Sequence, residues 1–317
     1  MNSIISLAAI RAAHDRIANT IIRTPLLRLN VDDAPAEIYL KLENMQPIGS
    51  FKLRGAGSAI GLAHADQLAD GVYTASAGNM AQGVAWHARR LGIPCTVIVP
   101  DHAPETKLAA ITRLGGQIIK VPFDEWWQVL VNHGRAGMKG FFVHPVSDPA
   151  VMAGNATIGL EIMEDLPDVH TIIAPYGGGG LSCGIASAVR ALKPSTQVYA
   201  AEVDTAAPLA AALAAGGITK IDYIPSFVDG IGSSSVLEEM WPLAQELLKG
   251  SLVVSLAEVA EAVRLLAERQ RIIAEGAGAT PVAAALAGKA GGGKVVCVVS
   301  GGNIDFEKLV KIFKREM

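Results

Sequence analysis

The sequence predicts an α/β protein built on parallel β-sheets with helices on both faces, because short apolar segments alternate with helical segments along almost the whole chain. Strands and helices that alternate in this way form βαβ units, and such units build parallel sheets. Several strand-like segments are apolar at every position, as expected for strands buried on both faces. The 317 residues also exceed the size of one small domain, so two structural units are expected.

The strand candidates share short runs of β-branched and other apolar residues. They are Ile38–Leu42, Val72–Thr74, Cys95–Val99, Gln117–Val121, Phe141–His144, Thr171–Ala174, Val198–Glu202 and Val295–Val299. The helix candidates show apolar residues at helical spacing. They include an amphipathic segment at the N-terminus, followed by Ala81–Leu91, Pro104–Leu114, Ala150–Glu164, Leu181–Leu192 and Leu256–Gln270.

The composition limits the classes of partner and the cellular location. Half of the residues are hydrophobic, the net charge is -3 and no run of like charges occurs, so neither nucleic acid nor a membrane surface is an expected partner. No apolar run reaches the length of about 18 residues that a membrane span requires, and the N-terminus lacks the features of a secretory signal. The separated Cys95, Cys183 and Cys297 predict reduced, buried thiols. We therefore expect a cytoplasmic protein.

The first segment that could carry chemistry runs from Lys41 to Ala56 and contains Lys52. A strand ends near Glu43 and a Pro/Gly turn follows, after which Ser50 is placed to cap a helix that begins at Phe51. Lys52 would then lie in the first helical turn, where the positive end of the helix dipole disfavours a protonated amine. Such an amine suits imine formation, although this motif taken alone favours an ordinary surface lysine beside a helix cap.

The second segment, from Ser76 to Gly83, directly follows a strand candidate. Its small residues allow a ligand to approach the backbone, while Ser76 and Asn79 offer polar contacts. A polar loop between a strand and a helix N-terminus favours an anion, here a carboxylate. A tight turn with a serine cap is the alternative interpretation.

The third segment is the run of four glycines from Gly177 to Gly180, between a buried strand candidate and a helix that starts at Leu181. Consecutive glycines at a helix start expose backbone N–H groups that can hold a phosphate. The run matches neither the nucleotide-binding P-loop nor the dinucleotide-binding fingerprint, so ATP and NAD are disfavoured as ligands.

Two further polar turns follow later in the chain. Ser300 and Asn303 stand at the carboxyl end of an apolar strand candidate, where open α/β sheets bind ligands. The glycine-rich turn from Glu275 to Ala279 is expected to pack close to the same site. By contrast, the histidines show no spacing typical of metal ligands, and Trp126 and Trp127 are interpreted as packing residues.

Taken in order, these motifs resemble the fold-type II pyridoxal-5'-phosphate (PLP) enzymes, the family of threonine/serine dehydratases and serine racemases. The resemblance rests on the segments SFKLRGA, SAGNMAQG, VPDHAPETKLAAITRLGG, AGNATIGLEI, GGGGL, EGAGA and SGGN, which span Lys41 to Asn303. It implies two open, twisted parallel-sheet domains of the tryptophan synthase β type. The large PLP-binding domain would comprise residues 1–66 and 149–317, and the small mobile domain residues 67–148. A homodimer is implied as well.

The resemblance also implies a role for each motif. Lys52 would form the Schiff base with PLP and then remove the Cα proton of the substrate. The glycine run would hold the cofactor phosphate, Ser300 would face the pyridine nitrogen, and the loop after Ser76 would hold the substrate carboxylate. The implied cofactor-binding residues are Phe51, Lys52, Asn79, Gly177, Gly178, Gly179, Gly180, Leu181 and Ser300. The implied substrate-binding residues are Ser76, Ala77, Gly78, Asn79 and Met80.

Three departures from the family pattern affect what is expected of the site. Met80 stands where the loop usually carries a histidine, which leaves the substrate preference open. Ala77 stands where the racemase branch has a second serine, which argues against efficient racemisation. Pro208 replaces the second acidic ligand of the racemase metal site, whose first ligand corresponds to Glu202, and so no metal is expected.

The activity implied is β-elimination by a hydroxy-amino-acid dehydratase (an ammonia-lyase, one of the carbon–oxygen lyases). It would convert a small-molecule 3-hydroxy-amino acid of the L-threonine or L-serine type into a 2-oxo acid and ammonia. A 3-phenylserine-type dehydratase on the same scaffold is one alternative. A non-catalytic PLP-binding protein is a second alternative, which the retained Ser76, Gly78 and Asn79 disfavour.

Overall fold

The computed structural model describes residues 3–316 and contains two β-sheets. The larger sheet has six strands in the order β1-β2-β10-β7-β8-β9 and is parallel except for β1, which runs antiparallel to β2. Its strands are β1 (Leu26–Arg28), β2 (Glu37–Lys41), β7 (Thr171–Pro175), β8 (Gln197–Val203), β9 (Gly250–Val254) and β10 (Lys294–Val298). The prediction of parallel sheets in an α/β fold is confirmed.

The smaller sheet has four parallel strands in the order β5-β4-β3-β6. They are β3 (Val72–Ala75), β4 (Cys95–Pro100), β5 (Gln117–Val121) and β6 (Phe141–Phe142). All four fall inside residues 67–148, which supports the proposed division into a small domain and a large one. Met1, Asn2 and Met317, at the ends of the proposed large domain, lie outside the described residues.

Twelve helices flank these sheets within residues 3–316. They are α1 (Leu7–Ile17), α2 (Lys52–Ile60), α3 (Asn79–Leu91), α4 (Glu105–Arg113), α5 (Phe123–Val131), α6 (Pro149–Asp165), α7 (Ser182–Leu192), α8 (Pro208–Ala215), α9 (Trp241–Leu247), α10 (Leu256–Leu265), α11 (Gly276–Leu286) and α12 (Phe306–Lys314). In residues 3–316 we find no helix with both the length and the apolar character needed to traverse a lipid bilayer.

The large sheet is buried on both faces, and β10 shows this alternation clearly. Val296 and Val298 pack into the apolar cluster that contains α6 and α7. Val295 and Cys297 pack into the opposite cluster, which contains α10 and α11. Because successive side chains of a strand point to opposite faces, a continuously apolar strand supplies both clusters.

The structure differs from the predicted elements at several boundaries. The short edge strands β1 and β9 were missed, and Phe141–His144 is a strand only at its first two residues. The helix predicted over Leu256–Gln270 is α-helical to Leu265 and continues as a π-helical segment over Leu266–Gln270. The strand pattern missed the edges because their half-exposed residues lack the continuous apolar character of the buried strands.

The predicted serine cap of α2 was wrong. The helix begins at Lys52, its N-cap is Phe51, and no side chain caps it. Ser50 instead forms an isolated β-bridge with Gly301, and its buried hydroxyl has no hydrogen-bond partner in residues 3–316. The Phe51 N–H donates to the Ser300 carbonyl at 2.9 Å. Long-range backbone pairing has therefore replaced the local cap.

Candidate active site

A cavity of about 480 Å³ lies between the carboxyl ends of the two sheets. Residues that end or follow β3, β4, β7 and β10 line it, which is where open parallel sheets bind ligands. The structure brings every predicted site residue to this cavity. These are Phe51, Lys52, Ser76, Ala77, Gly78, Asn79, Met80, Gly177, Gly178, Gly179, Gly180, Leu181 and Ser300.

Lys52 is the first residue of α2, and its amine reaches the cavity. Its Nζ donates a hydrogen bond of 2.6 Å to the Pro145 carbonyl. Burial lowers the pKa of Lys52 to about 8, and the negative charge of Glu275 partly opposes this shift. An amine that loses its proton near neutral pH can serve as a nucleophile or as a base.

A network of buried charges anchors α2 two residues beyond Lys52. The Arg54 guanidinium donates to both carboxylate oxygens of Glu43 and to both of Glu161, at 2.6–2.9 Å. Lys41 donates to the same Glu161 at 2.6 Å, and all four side chains are fully buried. Sequence reasoning gave Arg54 no role, because its carboxylate partners come from α6 and the turn at 43–45.

The loop from Ser76 to Met80 connects β3 to the start of α3. The Ser76 hydroxyl accepts a hydrogen bond from the Gly78 N–H at 3.2 Å, which folds the loop back on itself. The start of α3 therefore borders the cavity, so its dipole favours an anionic group there. Met80 is 1% exposed and packs in the apolar core of the small sheet, so it brings no polar group to the site.

The glycine run crosses from β7 to α7. The N–H groups of Gly177, Gly178, Gly179 and Gly180 form no hydrogen bond within residues 3–316, which leaves four donors beside a helix start. A Cβ at Gly180 would overlap the Val146 carbonyl oxygen, and Gly179 has a positive φ of 95°. Close packing and the backbone conformation both require glycine here, and the same geometry suits a phosphate.

Ser300 follows β10 and is 2% exposed, with its carbonyl bound to the Phe51 N–H at 2.9 Å. This bond joins the turn that carries Lys52 to the end of the central strand. A hydroxyl at this position is neutral, so it can hydrogen-bond a heterocyclic nitrogen without supplying a formal charge.

Glu275 is a site residue that the sequence reasoning did not single out by itself. It lines the cavity, and its Oε1 accepts a hydrogen bond of 2.9 Å from the Asn79 amide, 196 residues away in sequence. Burial raises the pKa of Glu275 to about 7. The Asn303 amide donates to the Asn79 side-chain oxygen at 2.8 Å, so three motifs meet at one point. The only sequence signal was the neighbouring glycine-rich turn.

Acidic and histidine residues form two further groups in the described part of the chain. Glu202 accepts from the Leu209 and Ala210 N–H groups and so caps α8. His133, His144 and Glu239 bring their potential ligand atoms within 4.8 Å of one another. However, the His133 Nε2 is hydrogen-bonded to Glu239 at 2.9 Å and the two imidazoles stack face to face at 4.5 Å. This packing describes a hydrogen-bonded group better than a tetrahedral metal centre.

The interpretation of Trp126 and Trp127 as packing residues is confirmed for Trp126, which packs against the apolar cluster of the small sheet. Both side chains line the cavity, and Trp127 is 36% exposed. They belong to α5, which packs on β3 and β4 of the small sheet. The sequence could not show which face of α5 looks toward the cavity.

Comparisons with known proteins agree with this geometry. The family model described as "Pyridoxal-phosphate dependent enzyme" matches residues 17–301. An L-threonine ammonia-lyase of Thermotoga maritima is 38% identical over 317 residues, which cover 98% of this chain and 79% of the relative.

Two solved structures have closely similar folds. Maize serine racemase superposes with a TM-score of 0.88 at 30% identity, over 99% of this chain and 100% of the other. The processed form of a threonine deaminase from Solanum lycopersicum superposes with a TM-score of 0.85 at 31% identity, over 99% of this chain and 95% of the other.

Proposed function

Because the chain belongs to the family of pyridoxal-phosphate dependent enzymes, we propose that it is a dehydratase (ammonia-lyase) for a 3-hydroxy-amino acid. It converts a substrate of the L-threonine or L-serine type into a 2-oxo acid and ammonia by β-elimination. The family and its PLP cofactor, both predicted from the motifs, are confirmed. The names of the threonine ammonia-lyase and threonine deaminase relatives support the activity.

The residues of the cavity fit PLP, which has an aldehyde, a phosphate and a pyridine nitrogen. Lys52 offers a readily deprotonated amine for the aldehyde, and the four unpaired N–H groups of Gly177–Gly180 suit the phosphate. The buried hydroxyl of Ser300 suits the ring nitrogen, and Phe51 and Asn79 would flank the ring. Bound there, PLP supplies an electron sink for the negative charge that develops at the substrate Cα.

The observation that carries the proposal is the setting of Lys52. With its pKa lowered to about 8, its amine is an effective base near neutral pH. In the proposed reaction, Lys52 removes the Cα proton while the hydroxyl on the neighbouring carbon leaves with a proton as water. The resulting enamine hydrolyses to the 2-oxo acid and ammonia. Ala77 cannot act as a second acid or base, which favours elimination over racemisation.

The substrate carboxylate is assigned to the loop from Ser76 to Met80. The start of α3 and the small side chains of Ala77 and Gly78 allow it to approach the backbone. Asn79 is held by Glu275 and Asn303, so the loop presents one fixed shape to the ligand. Binding energy is then not lost in ordering the loop.

The test combines attachment and turnover. Borohydride reduction of the PLP-loaded protein, followed by peptide mapping, should place the cofactor on Lys52. The Lys52→Ala variant should lose both this adduct and 2-oxo acid release, whereas Lys139→Ala at an exposed site should retain both. A panel of L-serine, L-threonine and 3-phenylserine should give 2-oxo acid from at least one substrate. An adduct without any turnover would instead favour the non-catalytic PLP-binding alternative.

Three wider features complete the proposal. The chain divides into a large PLP-binding domain (residues 1–66 and 149–317) and a small mobile domain (residues 67–148), which the two separate sheets support. It works as a homodimer, a feature that the family resemblance implies. A cytoplasmic location is supported by the free, buried Cys95, Cys183 and Cys297.

A further inference from the structure

One face of α5 forms an apolar wall of the cavity. Phe123, Trp126, Trp127 and Leu130 all line it, at positions i, i+3, i+4 and i+7 of the helix. Residues at this spacing lie on one side of a helix. Val129 on the same helix is 2% exposed and belongs to the apolar cluster of the small sheet, against which Trp126 and Leu130 also pack. We call Phe123, Trp126, Trp127 and Leu130 the α5 wall.

The aromatic rings of the wall form a continuous series. The ring centroids of Phe123 and Trp126 lie 5.6 Å apart, and those of Trp126 and Trp127 lie 6.4 Å apart. Phe123 is 50% exposed and Trp127 is 36% exposed, so much of this apolar surface faces open space. Burial of such surface against an apolar ligand is favourable, and aromatic pairs at these distances gain further from ring–ring contact.

The Trp126 indole adds a second observation. Its Nε1 is buried and has no hydrogen-bond partner within residues 3–316. Trp126 also packs against the apolar cluster of the small sheet, but that contact needs only its apolar ring, and burying a donor without a partner costs stability.

The lining of the cavity therefore combines polar groups with an apolar helix face. Lys52, Ser76, Asn79 and the glycine run supply the polar groups that suit a cofactor and an amino-acid carboxylate. The α5 wall contributes no charged group to the cavity. The loop at Ser76 continues from β3, and α5 packs on the same strand, so the loop and the wall belong to one structural unit.

We propose that the α5 wall binds the C3 substituent of the substrate, and that this substituent is an aryl or similarly large apolar group. This inference rests on the proposed dehydratase function and names its substrate class. A methyl group or a hydrogen, as in threonine or serine, would leave most of the wall uncovered. An aryl ring would cover it and gain roughly tenfold or more in affinity from the buried area.

The first experiment compares substrates. Initial rates of 2-oxo acid release are measured with 3-phenylserine and L-threonine on PLP-loaded wild type, Trp126→Ala, Trp126→Phe and Val131→Ala. Val131 lies on the same helix, is 54% exposed and does not line the cavity, so it is the matched control. We expect kcat/KM to favour 3-phenylserine in wild type. The preference should fall about tenfold in Trp126→Ala, recover partly in Trp126→Phe and stay unchanged in Val131→Ala.

The second experiment measures binding without turnover. L-Phenylalanine and L-alanine carry no hydroxyl and cannot eliminate water, so calorimetry on the PLP-loaded protein reports binding alone. Wild type should bind phenylalanine about tenfold or more tightly than alanine, and Trp126→Ala should lose most of this difference.

The outcomes separate the two proposals. Turnover of threonine with no preference for 3-phenylserine, or a preference that Trp126→Ala leaves intact, would overturn the wall's role and keep the dehydratase. Absence of 2-oxo acid from every substrate, together with selective binding of phenylalanine, would overturn the proposed dehydratase activity. It would leave standing the proposal that the α5 wall binds an apolar substituent. Equal binding of phenylalanine and alanine would overturn the wall whatever the activity.

Discussion

The Asn79 amide donates a 2.9 Å hydrogen bond to Oε1 of Glu275, and this bond joins the proposed small domain to the large one at the wall of the cavity. Burial raises the pKa of Glu275 to about 7, although the hydrogen bond from Asn79 favours its ionised form. The carboxyl therefore changes its protonation state near neutral pH. The link between the two sheets is thus made through a residue that titrates in the working range of most enzymes.

The effect of Glu275 on the pH dependence of stability should be opposite to that of two buried histidines. The raised pKa of Glu275 means that its protonated form is favoured in the folded state, so stability is lost as pH rises from about 4.5 to about 7. Burial lowers the pKa of His87 and of His144 to about 4, so stability is lost as pH falls from about 6.5 to about 4.

We therefore predict that Glu275→Gln steepens the loss of stability in acid. At pH 8 the ionised, buried Glu275 lowers the free energy of unfolding by an amount on the order of 3 kcal/mol, and the substitution removes this loss. Near pH 4.5 the substitution should change the free energy of unfolding little. The measurement is the free energy of unfolding in urea from pH 4.5 to 8, with cofactor and protein concentrations fixed. A difference between variant and wild type that stays constant with pH would contradict the assignment.

The buried charge network should carry a large share of the stability of α2. Arg54→Met would leave Glu43 and Glu161 buried without their main partner, so we expect a loss of about 3–5 kcal/mol in urea unfolding. The control is Arg190→Met, which breaks a half-exposed pair with Glu246 and should cost at most about 1 kcal/mol. Similar losses in both variants would show that the buried network stabilises the protein no more than an exposed ion pair does.

Alanine substitutions at the two ends of the glycine run should have different effects on stability. An alanine Cβ at position 180 would overlap the Val146 carbonyl oxygen, whereas one at position 177 would meet nothing nearer than 3.4 Å. Gly180→Ala should therefore lower the stability of the cofactor-free protein by about 1–3 kcal/mol, and Gly177→Ala should change it little. Thermal unfolding of the two variants without PLP checks this, and equal midpoints would contradict it.

A salt-sensitive contact should help to hold the cavity closed. Asp229 Oδ2 lies 3.1 Å from Lys107 on α4 and 3.2 Å from Lys308 on α12. Of these two ion pairs, the one with Lys107 joins a helix of the small unit to the large unit. Lys107→Gln should raise KM by less than about fivefold at low salt, and Lys308→Gln should leave it unchanged. The difference should vanish near 1 M salt, where charges are screened within about 3 Å. A KM effect that persists at high salt would point to direct contact with substrate.

Local sequence patterns were sufficient for the features that depend on neighbouring residues. The buried strands, the helices between them and the turns at Ser76, Gly177 and Ser300 all follow from apolar periodicity, glycine and proline. The turns at Gly177 and Ser300 follow β7 and β10, which are neighbours in one sheet, and so they lie at the same edge. The turn at Ser76 follows β3 of the other sheet, and only the family resemblance implied that it joins them. The structure places them around one cavity, as the ordered motifs implied.

The tertiary structure alone decided which side chains oppose one another across that cavity. Glu275 faces Asn79, Arg54 faces Glu43 and Glu161, and Ser50 pairs with Gly301 rather than capping α2. The α5 wall looked like ordinary packing in the sequence, because periodicity defines a helix face but not what lies opposite it. These roles depend on burial and on contacts between residues far apart in the chain. They arise only when the two sheets are brought together, and no local pattern in the sequence records that step.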